Sequence, residues 1–236
     1  KQAGDDYIAN KPGVVLRITP NESTELDPYD IPEQRVRGTG TTEFDLMDDL
    51  EELRMAILDK YSELNATELP TSQIGLIGSD AIQRGIDAYG PPNDACYLWT
   101  GNQTVSSPTP PFPDLTQYYG FLRDPAITLG NDTNEFIIVF GVNHVATGKA
   151  MYENFVLYGA DVWNGVAMIN DLDFNGTAEE YLPDNPNAKY FYVYKFARNC
   201  EGDPHCIEVP SDMGAYGIDL DQPVFIGWRM YLEEST

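Results

Sequence analysis

The stretch Tyr190-Phe191-Tyr192-Val193-Tyr194-Lys195-Phe196-Ala197 constrains the fold more than any other part of the chain. Alternation puts Tyr190, Tyr192, Tyr194 and Phe196 on one face of a strand, and Phe191, Val193 and Lys195 on the other. A strand with bulk on both faces needs cover on both faces, which suits the middle of a sandwich. Val224–Leu232 repeats the signal more one-sidedly: Ile226, Trp228, Met230 and Leu232 form an apolar face behind Phe225, Gly227, Arg229 and Tyr231. Further strands are expected at Cys96–Trp99, Glu135–Val142, Asn154–Tyr158 and Gly165–Ile169.

Helical periodicity is confined to the first half. Leu46, Leu50, Leu53, Ile57, Tyr61 and Leu64 recur at spacings of three and four, one apolar stripe over residues 43–64. Thr42 is positioned to cap this helix. Asp45, Asp48, Asp49, Glu51 and Glu52 crowd its first turns, where the helix dipole favours negative charge. A second, shorter helix is expected at residues 79–89, with Ile82, Ile86 and Tyr89 inward. The fold expected is therefore a β-rich α+β class: a β-sandwich or jelly-roll-like antiparallel core with a two-helix insertion near residues 43–89.

Residues 1–40 read as an extended acidic arm, and residues 41–236 as one globular β-rich domain. The arm holds one strand candidate, Gly13-Val14-Val15-Leu16-Arg17-Ile18-Thr19, bracketed by Pro12 and Pro20 as edge strands often are. Ser106-Ser107-Pro108-Thr109-Pro110-Pro111-Phe112-Pro113 reads as a stiff, extended surface loop.

Charge limits the partners. Thirty-eight carboxylates face 14 cations, a formal net charge of −24. Such a surface repels phosphate backbones and anionic lipid, so nucleic acid is not an expected partner. No apolar run approaches the ~18 residues of a membrane span.

Five Asn-x-Ser/Thr acceptors occur, at Asn21, Asn65, Asn102, Asn131 and Asn175. With 15 Asn and 24 Ser plus Thr in 236 residues, chance alone predicts about 1.5 such tripeptides. The excess points to N-glycosylation, and hence to an extracellular or cell-surface address. The chain starts at Lys1 without a hydrophobic leader, as expected of a mature secreted chain. Cys200 and Cys206 flank a turn-rich loop containing Gly202 and Pro204, and are expected to form a disulfide across it. That pairing leaves Cys96 as an odd thiol.

Chemistry is sparsely signalled. Asp171-Leu172-Asp173-Phe174-Asn175-Gly176 matches the opening of a calcium loop, with Glu179 and Glu180 nearby, but Leu182 stands where the loop needs its closing Glu. Asp171, Asp173, Glu179 and Glu180 are thus weak calcium candidates. His144 and Lys149 follow the strongest strand, where acid–base groups are useful. No catalytic residue is assigned, because nucleophile-elbow, phosphate-loop and metalloprotease patterns are absent from the sequence. The function expected is that of a non-enzymatic extracellular glycoprotein: a self-assembling sheath, surface-layer or filament subunit whose N-terminal arm adds a strand to a neighbour. The alternatives are a secreted hydrolase acting on carbohydrate or peptide, and a carbohydrate- or calcium-dependent binding module.

Overall fold

The computed structural model describes residues 16–19, 43–73, 95–100, 127–161, 164–211 and 216–232. Residues 1–34 and 35–236 form two separate units. In the first, residues 16–19 are exposed and carry no regular secondary structure; the rest of the arm's strand candidate lies outside the described residues.

Among the described residues, the second unit is built from two sheets and one α-helix. Strands β1 (Thr71–Gln73), β2 (Ala95–Thr100), β3 (Phe136–Val142), β4 (Ala150–Gly159), β5 (Gly165–Asn170), β6 (Phe191–Ala197), β7 (Cys206–Glu208) and β8 (Val224–Leu232) divide between them. The larger sheet runs β1-β2-β8-β4-β5 and is antiparallel throughout; the smaller runs β3-β6-β7. β3 and β6 are antiparallel, whereas β6 and β7 are parallel, so the core is mixed rather than wholly antiparallel. The short loop closed by Cys200 and Cys206 leads into β7, whose Cys206 pairs with Lys195 of β6.

β6 explains its own two-faced sequence. Tyr192 and Phe196 enter a core shared with the larger sheet, beside Phe155 and Leu157 of β4, Ile169 of β5 and Ile226 of β8. Phe191 and Val193 enter a second core, beneath a helix. β3 divides the same way, with Val139 and Ile137 toward the first core, and Ile138, Phe140 and Val142 toward the second. The smaller sheet therefore lies between the larger sheet and the helix.

That helix, α1 (Met47–Lys60), follows a 3-10 turn at Glu43–Leu46. The expected stripe is the face it buries: Leu46, Leu53 and Ile57 are buried, and Leu50 and Tyr61 pack beside them. Each fully buried aliphatic contributes about 1.5–3 kcal/mol. No side chain caps the helix; Leu46 occupies the cap position, and Thr42 lies outside the described residues. The acidic side of α1 has a structural task. Asp49 accepts hydrogen bonds from Asn185 (2.7 Å) and Asn187 (2.8 Å), and Glu52 accepts one from Asn185 (2.9 Å). Those bonds hold the turn before β6 against the helix. The expected helix at 79–89 lies outside the described residues, leaving α1 as the α-helix among the described ones.

Gly141 is required by close approach. A Cβ there would lie 2.9 Å from the Tyr192 hydroxyl oxygen. Tyr192 cannot swing away, because it is buried and stacked on Phe174 at 4.3 Å between ring centres. Gly141→Ala is expected to cost about 1–3 kcal/mol of stability, read as a drop in urea midpoint. Adding Tyr192→Phe should restore most of it. A Gly141→Ala loss that Tyr192→Phe leaves untouched would rule out this contact as the cause.

Candidate functional site

A cluster of titratable groups around a buried acid lies where the 3-10 turn before α1 meets the β3–β4 turn. After β3, Asn143-His144-Val145-Ala146-Thr147 folds back on itself. The Asn143 side-chain oxygen accepts from Ala146 N–H (3.0 Å), and the His144 carbonyl accepts from Lys149 N–H (2.8 Å) and Ala150 N–H (3.0 Å). This turn presents His144 Nδ1 to Glu43 Oε1 at 2.7 Å, and the Thr147 hydroxyl donates to the same oxygen, also at 2.7 Å.

Beneath them, Glu153 of β4 is fully buried. Its two oxygens accept hydrogen bonds from Trp228 Nε1 (2.9 Å) and from the His144 backbone N–H (3.1 Å). Burial drives the Glu153 carboxyl up to about 7 from its ordinary 4.5, and the Glu43 carboxylate pushes the same way. His144 and the two donated hydrogen bonds oppose this without cancelling it. Tyr192, also buried, has its phenol pushed up by burial and by the nearby Glu153.

The cluster is thus a carboxylate–imidazole pair above a buried acid that takes up or releases its proton near neutrality. That combination can store a proton. Glu153 has no exposed surface, so a substrate in solvent does not meet it; His144 and Glu43 are the half-exposed members.

Of the two residues singled out after β3, His144 belongs to this cluster. Residue type does not mark Glu153: a single Glu in Met151-Tyr152-Glu153-Asn154-Phe155 reads as an outward residue. Its only signal is position, since alternation with Phe155 and Leu157 puts it on the core face. Cys96 lies on β2 opposite Met230, which is itself opposite Glu153. Burial pushes the Cys96 thiol up, away from the thiolate a nucleophile needs.

Among the calcium candidates, Asp173 accepts from Asn170 N–H at 2.9 Å, the Asp171 carboxylate accepts from Glu153 N–H at 3.5 Å, and Glu180 pairs with Lys60 at 2.6 Å. Among the described residues, no three His, Cys, Asp or Glu side chains are gathered as a metal site requires.

Asn65, Asn131 and Asn175 are exposed, in the turn after α1, the loop before β3 and the turn after β5; Asn21 and Asn102 lie outside the described residues. The Asn175 tripeptide has a second use. Thr177 is buried, donating its hydroxyl to the Phe174 carbonyl (2.8 Å) and accepting from Val193 N–H (3.0 Å). Cys200 and Cys206 form the expected disulfide, with Cα atoms 5.6 Å apart. Glu201 and Gly202 inside its loop adopt positive φ. Asp203 of that loop pairs with Lys195 of β6 at 2.5 Å, and both line a cavity of about 400 Å³ together with Thr133, Phe136 and Asn199.

Among the described residues, no helix is long and apolar enough to cross a membrane. Comparison with protein-family models, with curated proteins and with solved structures found no match to this chain.

Proposed function

We propose that this chain is a non-enzymatic extracellular or cell-surface glycoprotein that assembles with copies of itself, as a sheath, surface-layer or filament subunit. The observation that carries the reading is the N-terminal arm. Leu16 is 75% and Ile18 87% exposed, two large apolar side chains on one side of a segment with strand-forming sequence. A segment of that kind gains most by adding to the sheet of a neighbour. The disulfide and the exposed Asn65, Asn131 and Asn175 favour an oxidising, glycosylating route out of the cell. The same reading takes the two sheets, which share one core, as a sandwich of the kind surface modules use.

Native material is expected to exceed the 26.4 kDa of the chain by N-glycans on at least two acceptors, and to lose the excess on enzymatic deglycosylation. Intact mass spectrometry reads both. Native chains at the unmodified mass would remove the extracellular half of the proposal. Strictly monomeric behaviour at all concentrations would remove the assembly half.

A second reading, a secreted hydrolase, is favoured by the Glu43–His144 pair alone. It predicts that His144→Ala abolishes a hydrolytic activity on oligosaccharide or peptide panels without lowering stability. The structural reading predicts no activity to abolish.

A further inference from the structure

Resting on the assembly reading above, we propose that the acceptor for the arm is the outer edge of β3, which takes residues 13–19 of a second copy as an added strand. Four sheet edges are available among the described residues: β1 and β5 in the larger sheet, β3 and β7 in the smaller. β1 and β7 have three residues each, too short to template a strand of any length. β5 has six, but its ladder with β4 carries a register shift at Leu157/Tyr158, and it lies beside β7.

β3 differs from all three. It has seven residues and pairs with β6 in one unbroken register from Phe136–Ala197 to Val142–Phe191. Its sequence, Phe136-Ile137-Ile138-Val139-Phe140-Gly141-Val142, contains neither a charge nor a proline. Edge strands are ordinarily guarded by lysine, proline, a bulge or brevity, and β3 has none of these. That is notable in a chain carrying 38 acids and 14 cations. Six of its seven residues remain half-exposed although both faces of the sheet are layered, by the larger sheet on one side and α1 on the other.

The arm matches this edge in length, pattern and charge. Residues 13–19 are also seven, ended by Pro12 and Pro20, which cannot continue a ladder. Val14, Leu16 and Ile18 fall on one face, in the number and spacing of Ile138, Phe140 and Val142. The segment contains Arg17 and no carboxylate, so it approaches without the like-charge repulsion the rest of this acidic chain would bring. Each copy offers one donor and one acceptor at different places. The contact therefore joins unlike surfaces, and it propagates into rings or filaments unless two copies exchange arms reciprocally.

The test uses the full-length chain and its Leu16→Glu/Ile18→Glu variant, whose altered positions are exposed. Light scattering across a concentration series gives assembly state, and hydrogen exchange with mass spectrometry gives protection of residues 136–142. The proposal expects concentration-dependent assemblies in the native chain, monomers in the variant, and outward β3 amides exchanging at least about tenfold faster in the variant. A synthetic peptide of residues 13–19, added in excess to the variant, should restore that protection. Loss of assembly with exchange at 136–142 unchanged overturns the β3 edge and leaves the assembly reading standing. A native chain that stays monomeric overturns both. A monomeric native chain protected at 136–142 and deprotected in the variant would mean that the arm pairs within its own chain.

Discussion

Replacing Arg198 by methionine is expected to cost about 3–5 kcal/mol of stability, the largest effect of any single change considered for this chain. Arg198 follows β6 and is buried. Its guanidinium donates to four backbone carbonyls: Leu129 (3.1 Å), Val209 (3.2 Å), Pro210 (2.8 Å) and Asp219 (3.3 Å). These belong to two connections, the one leading into β3 and the one joining β7 to β8, which is held near both its ends. Methionine fills much of the volume but donates nothing, so carbonyls that have given up water lose their partner. Lysine is expected to fall between the two, since one ammonium cannot span the fork of a planar guanidinium. Urea titration measures this directly. A loss below about 1 kcal/mol for the methionine variant would mean that water replaces the guanidinium and that the two connections do not depend on it.

Glu153→Gln is expected to change how stability depends on pH rather than simply to lower it. The folded-state value of Glu153, about 7, lies above its ordinary 4.5, so the folded protein holds this proton more tightly than the unfolded chain. The stability this group contributes is complete below about pH 4.5 and is lost as pH rises through about 7. The span amounts to about 3 kcal/mol. Glutamine resembles the protonated acid, with one accepting oxygen for Trp228 or His144, and does not ionise. The difference in unfolding free energy between native and variant should therefore shift by about 3 kcal/mol in favour of the variant between pH 4.5 and pH 8. Parallel curves would show that folding leaves the Glu153 carboxyl at its ordinary value. The groups facing it are Glu43, His144, Asp171 and Tyr192, from the 3-10 turn, the β3–β4 turn, the end of β5 and β6.

Arg198 and Glu153 were both silent in the sequence, for the same reason. Each is a charged residue at one end of an apolar alternating stretch, and a charge there reads as the exposed end of the strand until the partners that bury it are known. The β6 pattern was informative because both of its faces are apolar, leaving no ambiguity to resolve. The helix stripe from Leu46 to Tyr61 was legible because its period matches one helix face. The disulfide was legible because two cysteines only six positions apart in a turn-rich loop meet without help from the rest of the chain. His144 was noticed for its position after a strand. Its partner Glu43 stands 101 residues earlier, where it looked like one acid among several at a helix start.

Sequence alone thus determined the β-rich class, the cores of every described strand except β1 and β7, the position of α1 and the Cys200–Cys206 bridge. All are set by interactions within about a dozen neighbouring residues, whose periodicity survives without the rest of the chain. The tertiary structure decided that the smaller sheet is covered by α1 on one side and the larger sheet on the other. It also decided that β3 ends that sheet uncharged and that Glu43, His144 and Glu153 meet. Those outcomes depend on strand order and register between distant segments, which come from burying surfaces jointly and leave no periodic mark in any one of them.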